Sequence, residues 1–115
     1  MDKLLKKMVN EVVKGIKEGR LKFWKSEYWN GNTYLELNDV VEGELYGDFS
    51  INILPLGDPK YICVNINNTM TAPYVLEKLN IAKPTGETLS SGYSVYPIYE
   101  IDEDVLDKYL IKEAA

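Results

Sequence analysis

The sequence contains no histidine and one cysteine among its 115 residues. Without histidine, the chain lacks the most frequent general base, the histidine-assisted nucleophile and every histidine-ligated metal site. A single cysteine forms neither an internal disulfide nor a cysteine-rich zinc site. Cys63 lies in an apolar run from Tyr61 to Val64, which favours a buried core residue over a reactive thiol. Only carboxylates, tyrosines and lysines remain for chemistry, so we predict a protein that is not an enzyme and has no metal or other cofactor.

Long apolar runs are also missing. No stretch approaches the roughly 18 residues that a membrane-spanning helix needs. The N-terminus carries a charge every few residues, which is not typical of a secretory signal. We therefore expect a cytoplasmic protein without membrane partners. With 45% hydrophobic and 27% charged residues, the composition is that of an ordinary globular chain, and the length predicts a single domain over residues 1–115.

The net charge of −5 is unevenly distributed. Residues 1–26 contain eight Lys/Arg and three Asp/Glu, a net charge of +5, whereas residues 27–115 contain five Lys/Arg and fifteen Asp/Glu, a net charge of −10. A basic N-terminal segment is thus joined to an acidic body. Such a body repels phosphate backbones and attracts basic protein surfaces.

Hydrophobic periodicity predicts an amphipathic helix over about residues 3–18, with Asp2 as its N-cap and Gly19 near its end. The apolar stripe of this helix consists of Leu4, Leu5, Met8, Val9, Val12, Val13 and Ile16.

The remaining pattern predicts an α+β fold with an antiparallel meander sheet. The N-terminal helix, a short middle helix near residues 71–80 and a C-terminal helix opening at about residue 102 pack on it. Asn30-Gly31 is a strong hairpin signal between the first two strands. Residues 83–86 and 89–92 are rich in turn formers, and we predict loops there. Pro97 implies an edge position or a bulge in the last strand. The expected strands cover residues 21–29, 33–41, 45–54, 61–66 and 93–99.

Two acidic groups are candidates for partner contact. Each has a simpler explanation, because acids near the start of a helix favour its N-terminus and acids in turns keep a surface soluble. The second group, taken together with Glu100, could bind a divalent metal ion, but its spacing lacks the glycine and closing glutamate of a calcium loop. A more specific interpretation is that both groups form one negative surface. This surface would bind a basic protein groove in place of nucleic-acid phosphates. The first group is Glu42, Glu44 and Asp48, and the second is Asp102, Glu103, Asp104 and Asp107.

The basic helix is the alternative site. Lysines together with nearby aromatic residues bind single-stranded nucleic acid through phosphate contacts and base stacking. Aromatic residues in strands are also commonly core residues or cross-strand pairs, so both interpretations stay open. The residues of this alternative are Lys3, Lys6, Lys7, Lys14, Lys17, Trp24 and Trp29.

The C-terminal half resembles a known family. Its pattern is Lys83-Pro84-Thr85-Gly86, then Ser91-Gly92-Tyr93, then Tyr96-Pro97-Ile98-Tyr99-Glu100. This order is similar to that of small uncharacterised proteins carried by conjugative elements, plasmids and phages of Gram-positive bacteria. The resemblance covers about residues 45–103 and implies an accessory protein of a mobile element. It supplies no catalytic residue. The family's Asp-Thr-Asn-Asn segment has no full counterpart, because residues 65–69 lack the aspartate.

These observations predict a non-catalytic protein-binding accessory protein of a phage or mobile element. One concrete form is an acidic inhibitor of a host nucleic-acid-processing or defence complex, of the anti-CRISPR or anti-restriction type, whose protein partner has a basic surface. The alternative is a single-stranded nucleic-acid-binding accessory protein. A third hypothesis, a carboxylate enzyme, requires a cleft in which two acids are held in different environments. The oligomeric state stays open.

Overall fold

The computed structural model describes residues 1–112, in which helices and antiparallel strands combine in an α+β fold. The predicted fold class is confirmed, with an N-terminal, a middle and a C-terminal helix. The helices are α1 (Lys3–Lys17), α2 (Ala72–Lys78) and α3 (Glu103–Asp107). The strands are β1 (Leu21–Glu27), β2 (Thr33–Asp39), β3 (Glu44–Asp48), β4 (Ser50–Ile51), β5 (Tyr61–Val64), β6 (Ala82–Ser91) and β7 (Ser94–Ile101).

Helix α1 begins and ends as its sequence predicts. The Asp2 carboxylate accepts a hydrogen bond from the Leu5 amide at 2.8 Å, which satisfies one of the free donors of the first turn. Gly19 follows the helix with φ of +79°, a conformation that glycine adopts without steric cost. The side of α1 that faces the core buries Val9, Val12, Val13 and Ile16.

Strands β1, β2 and β3 form a three-stranded antiparallel meander. Side chains alternate between its faces, so Phe23 and Leu35 are buried while Trp24 and Glu36 lie on the other face, half-exposed. The buried face packs against α1 in the main hydrophobic core. Trp24 therefore points away from α1.

The remaining strands form a second sheet in the order β4-β5-β7-β6. The strand expected at residues 45–54 is divided between the two sheets at Phe49. Its ring packs edge-on against Phe23 with 5.1 Å between centroids. The Phe49 amide donates to the Leu35 carbonyl and its carbonyl accepts from the Asn65 amide. Burial of this side chain and pairing of its backbone on both sides join the two sheets.

Strand β6 replaces the loop expected at residues 83–86 and most of the loop expected at residues 89–92, of which only Gly92 lies in a turn. It pairs along β7 despite Pro84 and Gly86, because a bulge absorbs the residues that do not fit the ladder. Three residues, 85–87, face Ile98 alone in this bulge. Pro97 lies directly beside it, opposite Thr88, which fits the bulge alternative for that proline.

The C-terminal helix is shorter than its apolar pattern suggests. After α3 and a turn at residues 108–109, Leu110 forms an isolated parallel bridge with Phe23 at the free edge of β1. The Phe23 amide donates to the Tyr109 carbonyl at 2.8 Å, and the Ile111 amide donates to the Phe23 carbonyl at 2.7 Å. These bonds cover an edge that would otherwise expose unpaired backbone groups.

Candidate functional site

A cleft with a volume of about 670 Å³ lies where α2 ends, β6 begins, β7 ends and α3 begins. Four carboxylates and one lysine face it, so its lining is strongly negative. Pockets of this size are typical of ligand sites. The lining residues are Glu77, Asn80, Ala82, Lys83, Pro84, Glu100, Ile101, Asp102 and Glu103.

Local interactions hold three of these carboxylates in place. The Glu77 carboxylate accepts a hydrogen bond from the Tyr99 hydroxyl at 2.8 Å. Asp102 is the N-cap of α3 and accepts from the Asp104 and Val105 amides at 3.1 and 3.2 Å. Glu103 lies 2.9 Å from the Lys25 ammonium. The acidic wall is therefore positioned before any ligand arrives, which lowers the entropy cost of binding.

Asn80 shapes the floor of the cleft. It follows α2 with φ of +58°, the left-handed conformation that asparagine tolerates better than most residues at a helix end. The chain turns there and enters β6, and the Ile81 carbonyl accepts from the Asp102 amide at 2.8 Å. This bond ties the start of β6 to the start of α3.

The second predicted acidic group is partly incorporated into this cleft. Asp102 and Glu103 line it, whereas Asp107 pairs with Lys112 at 2.8 Å and Asp104 is exposed on α3. The Lys112 ammonium also lowers the pKa of the Asp107 carboxyl. Glu100 was considered only as part of a calcium-binding cluster and not as a partner contact, and Glu77 was not predicted, because it lies in α2, far from residues 102–107 in the sequence. Their only sequence signal is negative charge.

The first predicted acidic group lies elsewhere. Glu42 and Glu44 are exposed in and after the turn between β2 and β3, and Asp48 ends β3. Strand β3 is one edge of the three-stranded sheet, whereas Lys25, which holds Glu103, belongs to β1 at the other edge. A single partner would have to extend across this sheet to contact both groups.

Asp48 has a structural role that the sequence does not reveal. The Tyr34 hydroxyl lies 2.7 Å from Asp48 Oδ1 and is also hydrogen-bonded to Glu36. Asn38 donates to the other Glu36 oxygen at 3.1 Å. Burial, together with these two carboxylates, raises the pKa of Tyr34. This cluster links β2 to β3, so Asp48 is less available to a partner than Glu42 and Glu44.

The lysines and tryptophans of the alternative site do not share a surface. The five lysines of α1 are exposed, but Trp24 lies on the face of the three-stranded sheet opposite to α1. Trp29 is 92% exposed in the turn between β1 and β2. A nucleic acid that follows the lysines would not reach Trp24 without passing around the sheet.

Exposure of the acids distinguishes binding from catalysis in the cleft. A carboxyl pair that works as acid and base needs one member in an apolar enclosure. Here Glu77, Asp102 and Glu103 are exposed and Glu100 is half-exposed. The geometry therefore favours attraction of a cationic group over proton transfer.

Among residues 1–112, no three cysteine or carboxylate side chains are arranged to hold a metal ion. No helix in that range combines the length and the apolar character required to cross a bilayer.

Comparisons with protein-family models, with curated protein sequences and with solved structures gave no match for this chain.

Proposed function

We propose that this chain is a non-catalytic protein-binding module that receives a basic segment of a partner protein in the acidic cleft. The observation that carries the proposal is the lining of this cleft, where Glu77, Glu100, Asp102 and Glu103 outnumber the one lining lysine, Lys83, although Glu103 is also paired with Lys25. Lysine or arginine side chains are the protein groups that complement such a lining.

Electrostatics supports this assignment at two distances. At long range, the net charge of −5 attracts a basic partner and raises the rate of encounter. At short range, the Glu77 and Asp102 carboxylates are already oriented by Tyr99 and by the amides of α3. An arginine of the partner would find acceptors in fixed positions, and fixed acceptors favour bidentate pairing.

The finer form of the proposal concerns the identity of the partner. Basic grooves that hold nucleic-acid phosphates carry clustered lysine and arginine side chains. An acidic protein competes with the nucleic acid for these side chains. Together with the family resemblance of residues 45–103, this supports an accessory protein of a phage or mobile element. In that role it inhibits a host nucleic-acid-processing or defence complex, and it works in the cytoplasm.

Titration of the labelled protein with an arginine-rich peptide, followed by NMR at low and high salt, tests the cleft. We expect shifts of backbone amides around residues 80–83 and 100–103 that disappear at high salt. The test variant combines Glu100→Gln, Asp102→Asn and Glu103→Gln. Asparagine at 102 keeps the helix cap. The control combines Glu42→Gln, Glu44→Gln and Asp104→Asn, which changes the net charge equally.

Loss of binding in the cleft variant, with binding retained in the control, supports the proposal. Equal weakening of both variants would mean that only net charge matters, and the cleft assignment would then be wrong. Shifts centred on residues 42–48 would move the contact surface to the first acidic group.

A further inference from the structure

The protein has a second charged surface, which is basic, whereas the cleft is acidic. Five lysines occupy one exposed arc of α1, on the side of the helix away from its buried valines. Asn10 stands in the middle of this arc, and its side-chain oxygen accepts a hydrogen bond from the Lys78 ammonium at 2.7 Å. Lys78 comes from α2 and adds a sixth ammonium. The lysine face, as we name it, consists of Lys3, Lys6, Lys7, Lys14, Lys17 and Lys78.

The lysine face is not neutralised by the protein itself. Within residues 1–112, none of its six ammonium groups forms an ion pair, although Glu11 borders it. Lys3 lies in the first turn of α1, where the helix dipole disfavours positive charge and where no residue is acidic, whereas Lys14 and Lys17 lie in the last turn, where the dipole favours them. Lys3 also lies three and four residues before Lys6 and Lys7, and these like charges repel one another. An anionic partner would relieve this repulsion at the start of α1.

An aromatic side chain adjoins the lysine face. A groove of about 560 Å³ runs between α1 and α2, and Tyr74, a residue that is 38% exposed, lines it. Lys6 and Lys78 stand in the same groove, as does Asn10. The combination of an exposed aromatic ring with lysines, expected near Trp24 and Trp29, therefore exists at a different aromatic residue. The remaining lining residues are Met1, Val9 and Glu77.

We propose that the lysine face and the groove at Tyr74 bind single-stranded nucleic acid without sequence preference. The phosphates would follow the lysines along α1, which extends over about 21 Å at 1.5 Å per residue, and one base would stack on Tyr74. Glu77 on the far side of the groove repels phosphates, so the backbone keeps to the α1 side and the base enters the groove. This activity does not depend on the acidic cleft.

Other anionic partners fit these observations less well. A duplex holds its bases inside the stack, so it would leave the groove at Tyr74 unused. A membrane would bury apolar side chains among the lysines. The exposed apolar residues of α1, Leu4 and Met8, instead lie on the flank of the helix that faces Leu45, where Met8 and Leu45 share a groove.

Fluorescence anisotropy with a labelled oligothymidine tests the proposal across a series of salt concentrations. The lysine variant combines Lys3→Gln, Lys7→Gln and Lys14→Gln, all at exposed positions of α1. The control combines Lys22→Gln, Lys60→Gln and Lys108→Gln and has the same net charge. We expect the lysine variant to bind at least tenfold more weakly and to lower the slope of log affinity against log salt by about 2. The control should stay within about threefold of the parent protein.

The contribution of the groove is tested by Tyr74→Leu and Tyr74→Phe. Leucine should weaken binding by about fivefold or more, because it removes base stacking, whereas phenylalanine should retain it. Circular dichroism establishes that each variant is folded. The proposal is overturned if the lysine variant and its control lose affinity equally, or if a duplex of the same length binds more tightly than the single strand. Retention on anionic vesicles without oligonucleotide binding would overturn it as well.

Discussion

The hydroxyl of Tyr99 donates a hydrogen bond to the Glu77 carboxylate, with 2.8 Å between the two oxygens. Tyr99 is buried in β7, whereas Glu77 stands on the exposed side of α2. Glu77 lines both the acidic cleft and the groove that contains Tyr74. One hydrogen bond therefore positions a carboxylate that belongs to both candidate sites, and it ties the short helix α2 to the second sheet.

Replacing this tyrosine should have a moderate effect on stability. We expect Tyr99→Phe to lower the free energy of unfolding by about 1 kcal/mol, because a hydrogen bond is lost while the ring still fills its place in the core. Urea denaturation measures this difference. Glu77→Gln is the matched change on the other side of the bond. A Tyr99→Phe variant as stable as the parent protein would show that the hydrogen bond contributes nothing to folding.

Alkaline pH should destabilise the protein through the buried Tyr99 and the half-buried Tyr34. Burial raises the pKa of Tyr99, and hydrogen bonding to Glu77 raises it further. The pKa of Tyr34 is also raised, first by burial and then by Glu36 and Asp48. The unfolded chain loses these protons near pH 10, before the folded protein does. The stability contributed by the protonated tyrosines is therefore complete below about pH 10 and is lost as the pH rises towards the folded values.

The free energy of unfolding measured from pH 8 upwards tests this prediction. A variant with both Tyr34→Phe and Tyr99→Phe should show a shallower decline above about pH 10 than the parent protein. Parallel declines in both proteins would assign the alkaline loss of stability to other groups.

Features that depend on local sequence could be predicted. Helix α1 follows from its 3.6-residue periodicity and from Asp2, whose capping bond is formed. The hairpin at Asn30-Gly31 follows from a turn that needs a positive φ, which Gly31 adopts at +89°. In each case the residues that determine the element are its own members or direct neighbours.

Features that depend on tertiary pairing could not be predicted. Strand β6 contains Pro84 and Gly86, which disfavour a strand locally, and only its long pairing with β7 makes it extended. Strands β3 and β4 are separated at Phe49, whose ring packs against Phe23 where the two sheets meet. The alternation of apolar and polar residues over 49–53 does not reveal this separation.

Each candidate site likewise combines residues that the local sequence predicts with residues that only the tertiary fold brings to it. Asp102 and Glu103 of the cleft were predicted from a local run of acids. Only the tertiary fold brings Glu77 next to these two acids, and only the tertiary fold brings Tyr74 next to the lysines of α1.

The role of Asp102 as the N-cap of α3 should be separable from its contribution to the negative charge of the cleft. Asp102→Ala removes the acceptor of two amide hydrogen bonds, and we expect a loss of about 1 kcal/mol in the free energy of unfolding. Asp102→Asn retains the cap and should cost much less, although both variants remove the same charge. Thermal or urea denaturation of the pair distinguishes the two roles. Equal losses would indicate that the negative charge, and not the hydrogen-bonding cap, stabilises this helix.

Gly47 should be sensitive to the addition of a single methyl group because of Thr69. A Cβ atom at position 47 would lie 2.9 Å from Thr69 Oγ1 and 3.3 Å from its Cγ2. Thr69 is buried, and its hydroxyl donates to the Asp48 carbonyl at 2.7 Å, so it cannot move aside without losing that bond. We expect Gly47→Ala to destabilise the protein by about 1 to 3 kcal/mol, as overpacking in a core does.

A double-mutant cycle with Thr69→Ala tests whether this contact is the cause. Thr69→Ala alone should be destabilising, because the Asp48 carbonyl loses a donor. In its background, however, the methyl group at position 47 meets no hydroxyl, so Gly47→Ala should cost less than in the parent protein. We expect a coupling free energy of at least about 0.5 kcal/mol. If Gly47→Ala is equally costly in both backgrounds, the strain arises in the backbone of β3 and not at Thr69.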